Sequence, residues 1–260
     1  MLPREHGSWV MLLVPPVLGW AAAGGGPAGA AALFALGTAG AFLLRTPLGV
    51  LLESPGHPAA RRWVLSCAAA AAAGFGGLAA LYGRWGLLLM VPPDGGALAV
   101  ALRNQRRRRA MSEANELVGI AGLSLGAPAA WYAASGAWEP GAAWLWALCA
   151  LFFSGPVFHV KMLVSRRAAS ARGAPVEAAR RADGARRLSL AYHGAAAAAV
   201  AAAAAGGAVP AGALLPFGAS AAKSAWWAAR QGPGLELKKV GWQEVGWTAL
   251  FLAVMLHFSR

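Results

Sequence analysis

Apolar stretches of about 17–23 residues recur along this 260-residue chain, separated by segments that alternate between strongly basic and almost uncharged. A helix of that length crosses the hydrocarbon layer of a bilayer, and a β-strand of that length is far longer than strands run. Nine such segments can be read: Ser8–Ala23, Ala28–Leu44, Trp63–Tyr82, Trp85–Leu102, Leu117–Ala134, Ala142–Val164, Ser189–Ala208, Ala211–Trp227 and Val245–Phe258. Backbone groups in lipid must be satisfied within the segment, so each is expected to be helical. The fold expected is therefore all-α, a polytopic transmembrane bundle of about nine helices forming a single integral membrane domain over residues 1–260.

Two segments carry breaks. The fourth contains Val91-Pro92-Pro93-Asp94-Gly95-Gly96, which predicts a kinked or discontinuous span and leaves open whether Asp94 lies in the span or in a loop. The sixth contains Gly155-Pro156, which predicts a bend. A cleaved signal peptide competes for the first segment, with Ala21–Ala23 as a small-residue cleavage site. Arg4 and Glu5 cancel in its leader, and Pro15 and Pro16 interrupt its apolar run, which favours an uncleaved first helix.

Charge then sets the orientation. Of 23 Lys and Arg residues, 21 fall in the N-terminal leader, in the segments after spans 2, 4, 6 and 8, or near the adjoining ends of spans 6 and 8; Arg84 and Arg260 alone fall on the other side. The positive-inside rule puts the N-terminus in the cytoplasm and the C-terminus outside, in a cytoplasmic (inner) membrane. The formal net charge of +13 raises nucleic acid as a partner, but basic patches that alternate with apolar spans argue against it. The basic stretch at 164–188, read as a loop, fits anionic lipid headgroups. The 12 tryptophans fall near span ends, as an interfacial belt does. Cys67 and Cys149 sit inside apolar segments and read as small buried hydrophobes.

Three polar clusters on the basic side could carry chemistry. Arg4-Glu5-His6 opens the first span, where it can bind a headgroup, shuttle a proton or simply anchor the helix. Ser112 is an N-cap candidate ahead of Glu113 and Glu116, and the apolar run from Leu117 draws Glu116 toward hydrocarbon, where ionisable groups face a bundle interior. His159 and Lys161 follow the Gly155-Pro156 bend and can line a polar cavity or be satisfied locally; His193 and Lys223 are weaker candidates of the same kind. Gly119, Gly122 and Gly126 are expected to allow close helix packing. There is no phosphate-binding glycine loop, nucleophile elbow or zinc signature, and no two histidines stand at metal-ligand spacing.

Arg4-Glu5-His6-Gly7-Ser8-Trp9, Glu116-Leu-Val-Gly-Ile-Ala-Gly-Leu and Phe158-His159-Val160-Lys161 followed by Arg166-Arg167 together resemble the YwiC-like family of bacterial membrane proteins. More weakly, nine helices with an inward N-terminus and polar loops after spans 2, 4 and 6 are similar to UbiA-type intramembrane prenyltransferases. That second resemblance implies Asp-rich motifs holding magnesium against an isoprenyl diphosphate. Here the loop after span 2 offers only Glu53, and the loop after span 6 offers Glu177 and Asp183 among arginines, so magnesium is not supported. The cofactor is left unknown, and a diphosphate held by Arg45, Arg61 and Lys161 without metal is the remaining variant. Two function classes follow. One is a UbiA-related protein that acts on or binds an isoprenoid, quinone-like or other lipid in a cytoplasmic polar cavity lined by Arg4, Glu5, His6, Arg45, Glu53, Glu116, His159 and Lys161. The other is a non-catalytic small-solute transporter or membrane-embedded binding protein.

Overall fold

A computed structural model describes residues 6–107, 112–171, 173–230 and 237–258, and every regular element among them is helical. The order is α1 (His6–Ala22), α2 (Ala28–Glu53), α3 (Pro58–Tyr82), a 3-10 helix (Trp85–Met90) running into α4 (Val91–Arg106), α5 (Glu113–Ser124), α6 (Gly126–Ser135), α7 (Pro140–Ala169), α8 (Val176–Ala205), a short 3-10 turn (Ala211–Ala213) running into α9 (Leu214–Ala229), and α10 (Leu237–Phe258). Since α5 and α6 abut at Leu125, these make nine helical stretches, one for each apolar segment. Six of the stretches are long and apolar enough to cross a membrane, and α1 is apolar but shorter. The chain is a multi-pass membrane protein with an all-α, polytopic helical fold.

The segment boundaries move in a consistent direction. The second helix does not stop at Arg45 but continues through Pro47 to Glu53, the third starts five residues early at Pro58, and α8 starts thirteen residues before Ser189. Hydropathy locates the part of a helix that lipid requires, whereas Ala, Leu and Arg keep the backbone helical well past it. The 164–188 stretch is accordingly no loop. It comprises the end of α7, a connection over 170–175 and the start of α8. The helix α7 also runs without interruption through Gly155-Pro156, so the expected bend does not break it. The Pro92-Pro93 pair does mark a discontinuity: it sits in the first turn of α4, where missing N–H groups cost nothing, and Asp94 follows in the same turn at the positive end of the helix dipole.

The chain divides into two compact units, residues 1–150 with 260, and residues 151–259, the boundary falling within α7. In the first unit the close approaches are made by small residues. A Cβ on Gly74 would meet the Gly37 nitrogen at 2.3 Å, and one on Gly40 would meet the Ala71 nitrogen at 2.5 Å, so α2 and α3 touch backbone to backbone. Gly126 packs on Pro16 and Gly19 on Ala127, which sets α1 parallel to α6. Gly122 meets Ala97, whereas Gly119 has no neighbour there and does not serve the packing role expected of it. Phe34, Leu78, Leu87, Ala130 and Tyr132 fill the core between these helices. The second unit is built around aromatics: Phe152 of α7 stacks on Phe251 of α10 at 4.1 Å, with Phe153 and Phe217 edge-on around them.

Candidate functional sites

At one end of the first unit lie the end of α2, the end of α4 and the start of α5. Gln105 donates from Nε2 to Glu53 Oε1 at 3.0 Å, and Arg106 donates to the Leu52 carbonyl at 3.4 Å. Asn104 donates to Asn115 Oδ1 at 3.0 Å, with Asn115 buried. Ser112 caps α5 by accepting from the Asn115 backbone N–H, with Glu113 and Glu116 in the first turn, as the sequence predicts. Arg45 lies two turns before Glu53 on α2 and is half-buried, as is Glu116. The parallel register of α1 on α6 and the edge-on contact of Trp9 with Phe42 (5.1 Å) bring the start of α1 to this same end.

The opposite end of the first unit is tied by its single arginine. Arg84 donates from Nε to the Ala133 carbonyl and from Nη2 to the Ala134 carbonyl, both at 3.0 Å, while the Gly136 N–H takes the Tyr132 carbonyl. Three of the four carbonyls left open at the end of α6 are thus satisfied, and the guanidinium sits at the negative end of the dipole. Gly136 is required twice over: its φ is +81°, and a Cβ there would collide with the Arg84 guanidinium. Tyr132 stacks on Trp138 at 4.5 Å and accepts from the Gly86 N–H.

Between the two ends runs an apolar crevice of about 350 Å³, lined by Pro93, Ala97, Val100, Val118, Gly122 and Trp146, among others. Trp146 donates its indole N–H to the Ala121 carbonyl at 3.0 Å and walls the crevice. On α4 the lining stripe Pro93, Ala97, Val100 continues one turn on to Asn104. On α5 the stripe Leu125, Gly122, Val118 continues to Asn115. The Asn104–Asn115 hydrogen bond therefore lies one turn beyond the crevice lining on both helices, at the polar end.

The second unit holds a polar cluster in its interior. Ser189 of α8 and Ser224 of α9, both fully buried, bond through their hydroxyls at 2.9 Å. One turn along α8, His193 donates from Nδ1 to the Ser189 carbonyl at 2.8 Å, which fixes the Nδ1–H tautomer and leaves Nε2 as an acceptor. That Nε2 lies over Gly155 of α7, where a Cβ would stand only 3.1 Å away. One turn further along α7, the His159 ring is fully buried with its centroid 6.3 Å from that of His193, and neither of its nitrogens has a hydrogen-bond partner. Each such orphan costs about 1–3 kcal/mol. Lys223 of α9, next to Ser224, is paired with Glu244 of α10 at 2.7 Å, with the Trp247 ring 5.5 Å from the ammonium. Tyr192 donates to the Leu151 carbonyl at 2.7 Å and stacks on Phe158.

A family model described as YwiC-like protein matches residues 2–131. The chain belongs to the YwiC-like family. No curated protein and no solved structure matches it. The matched stretch takes in the ends of α1, α2, α4 and α5 that meet at the polar end of the first unit, together with most of the crevice.

For this YwiC-like chain five of the eight candidate residues have described side chains, and these fall into two places. Arg45, Glu53 and Glu116 lie at the polar end of the first unit; His159 and half-buried Lys161 belong to the second. Arg4 and Glu5 lie outside the described residues, and only the backbone of His6, at the start of α1, is described. Unforeseen members are Asn104, Gln105, Asn115, Ser189, Ser224 and Glu244, amides, hydroxyls and a carboxylate whose partners come from other helices. Among the described residues no three His, Cys, Asp or Glu side chains gather. Glu53 accepts from Gln105, and Glu177 and Asp183 are exposed on α8. Cys67 and Cys149 are buried free thiols, as expected.

Proposed function

We propose that this YwiC-like protein binds an isoprenoid, quinone-like or other single-chain lipid, with the tail in the crevice between α4 and α5 and the polar head at the Glu53–Gln105 and Asn104–Asn115 end. The observation that carries this reading is the continuity of the two lining stripes with the asparagine pair: an apolar channel for a chain ends on amide and carboxylate groups suited to a head. Arg45 and Glu116 complete the head site, which lies at the end of the unit where α1 begins. The basic ends of the helices face the cytoplasm and anionic headgroups, in a cytoplasmic membrane with the N-terminus inside and the C-terminus outside. The whole chain acts as one integral membrane domain.

Lipid extraction from the purified protein with mass spectrometry tests this. The wild type is expected to retain one isoprenoid or quinone-like species enriched over the membrane extract, and Val118→Trp, which fills the crevice, is expected to lose it while remaining monodisperse. Bulk phospholipid alone in both preparations refutes the reading.

A further inference from the structure

We propose that the second unit contains an internal proton relay, in which water bridges His159 to His193 beside the Lys223–Glu244 ion pair. A neutral imidazole has one N–H donor and one acceptor nitrogen, and a ring held with both unpaired inside protein is rare. His159 is such a ring, at 0% exposure. Its neighbour is polar: His193 offers an acceptor Nε2 toward α7, and Gly155, lacking a side chain, lets that ring pack close against α7 one turn from His159. Water is the ligand that satisfies both an N–H and a lone pair, and buried water occupies sites with two to four polar partners. Ionisable groups held inside membrane-spanning helices characteristically mark proton and ion pathways.

The titratable and charged groups of the cluster come from all four helices of this unit: His159 of α7, Tyr192 and His193 of α8, Lys223 of α9 and Glu244 of α10. Their roles differ. His159 has both nitrogens free, so it can take a proton from water on one and release a proton to water from the other, returning to neutral with its tautomer exchanged. His193 keeps its Nδ1–H on the Ser189 carbonyl and so takes up and releases protons at Nε2 alone, a side station rather than a conduit. Lys223 brings a positive charge to the cluster, and Glu244 balances it at 2.7 Å. No bond other than N–H and O–H is made or broken. Whether the first unit holds a lipid does not bear on this relay.

The test is proton flux in proteoliposomes of the full chain, with a trapped pH-sensitive dye and a potassium–valinomycin potential. Wild type is expected to carry protons well above empty vesicles, His159→Phe to lose about a hundredfold of that flux, and Arg181→Gln, on the exposed face of α8, to match the wild type. His193→Gln keeps a donor toward the Ser189 carbonyl and is expected to lower the flux without abolishing it. Monodispersity and thermal unfolding of each variant separate lost transfer from lost fold. Flux no greater than in empty vesicles, or unchanged in a well-folded His159→Phe, overturns the relay. So does a stoichiometric transition metal in the purified protein that His159→Phe removes, since the two imidazoles would then be ligands.

Discussion

Replacing Glu244 by Gln leaves the Lys223 ammonium inside the second unit without its counter-ion. The two groups meet at 2.7 Å with side-chain exposures of 7% and 17%. At an effective dielectric of about 20, unit charges at that separation attract by about 6 kcal/mol, and taking both out of water consumes most of it. The pair is therefore worth little net, whereas removing one partner costs about 3–5 kcal/mol because the desolvated charge remains. Glu244→Gln is expected to lower the unfolding midpoint in detergent by about 6–20 °C, taking 2–4 °C per kcal/mol for a chain of this size. Lys223→Met is expected to cost less, since Glu244 is the more exposed partner and can recover water. The double variant Lys223→Met/Glu244→Leu should lie near the wild type. Thermal unfolding followed by tryptophan fluorescence reads all three. Glu244→Gln within about 1 kcal/mol of the wild type, or a double variant as unstable as both single costs combined, would refute the account of a buried, mutually dependent pair.

Arg84→Ala removes two hydrogen bonds from a charged donor to the α6 carbonyls and is expected to destabilise the chain by about 2–4 kcal/mol in the same unfolding assay. Gly136→Ala should be comparably harmful, through strain at positive φ and collision with Arg84. Gly74→Leu forces α2 and α3 apart where a Cβ already meets backbone at 2.3 Å, and should abolish monodisperse expression, while Gly76→Ala, where space is open, should not. In a background without Cys67 and Cys149, Arg181→Cys is expected to resist a membrane-impermeant maleimide added to intact cells and Glu139→Cys to react. The reverse pattern would invert the topology.

Much of the fold is legible in hydropathy and charge, because lipid imposes segment length and the helix imposes its own hydrogen bonding. The side-sorting of loops reappears within each unit as contact: Gln105 reaches Glu53 from the end of α4, and Arg166 at the end of α7 donates to the carbonyls of Trp227 and Arg230 at the end of α9. The Ser112 cap is legible too, since its chemistry is local. What the sequence hides is pairing across helices. Asn104 and Asn115, or Ser189 and Ser224, look like isolated polar residues until the rotation of each helix about its axis is known. The early start of α8 carries no apolar signal, although eight of the ten residues at 178–187 are Ala or Arg, strong helix formers that outweigh Asp183 and Gly184.

The 3-10 winding of Trp85–Met90 has a consequence for phase. Six residues at three per turn complete about two full turns and cover about 12 Å, where α-helical winding would give about 600° and 9 Å. The tighter coil therefore acts as an angular setting for everything after it. With ordinary winding, the face of α4 presented to α5 would be turned by about 120°, carrying Asn104 away from Asn115 and the small residues Ala97 and Gly96 out of the crevice.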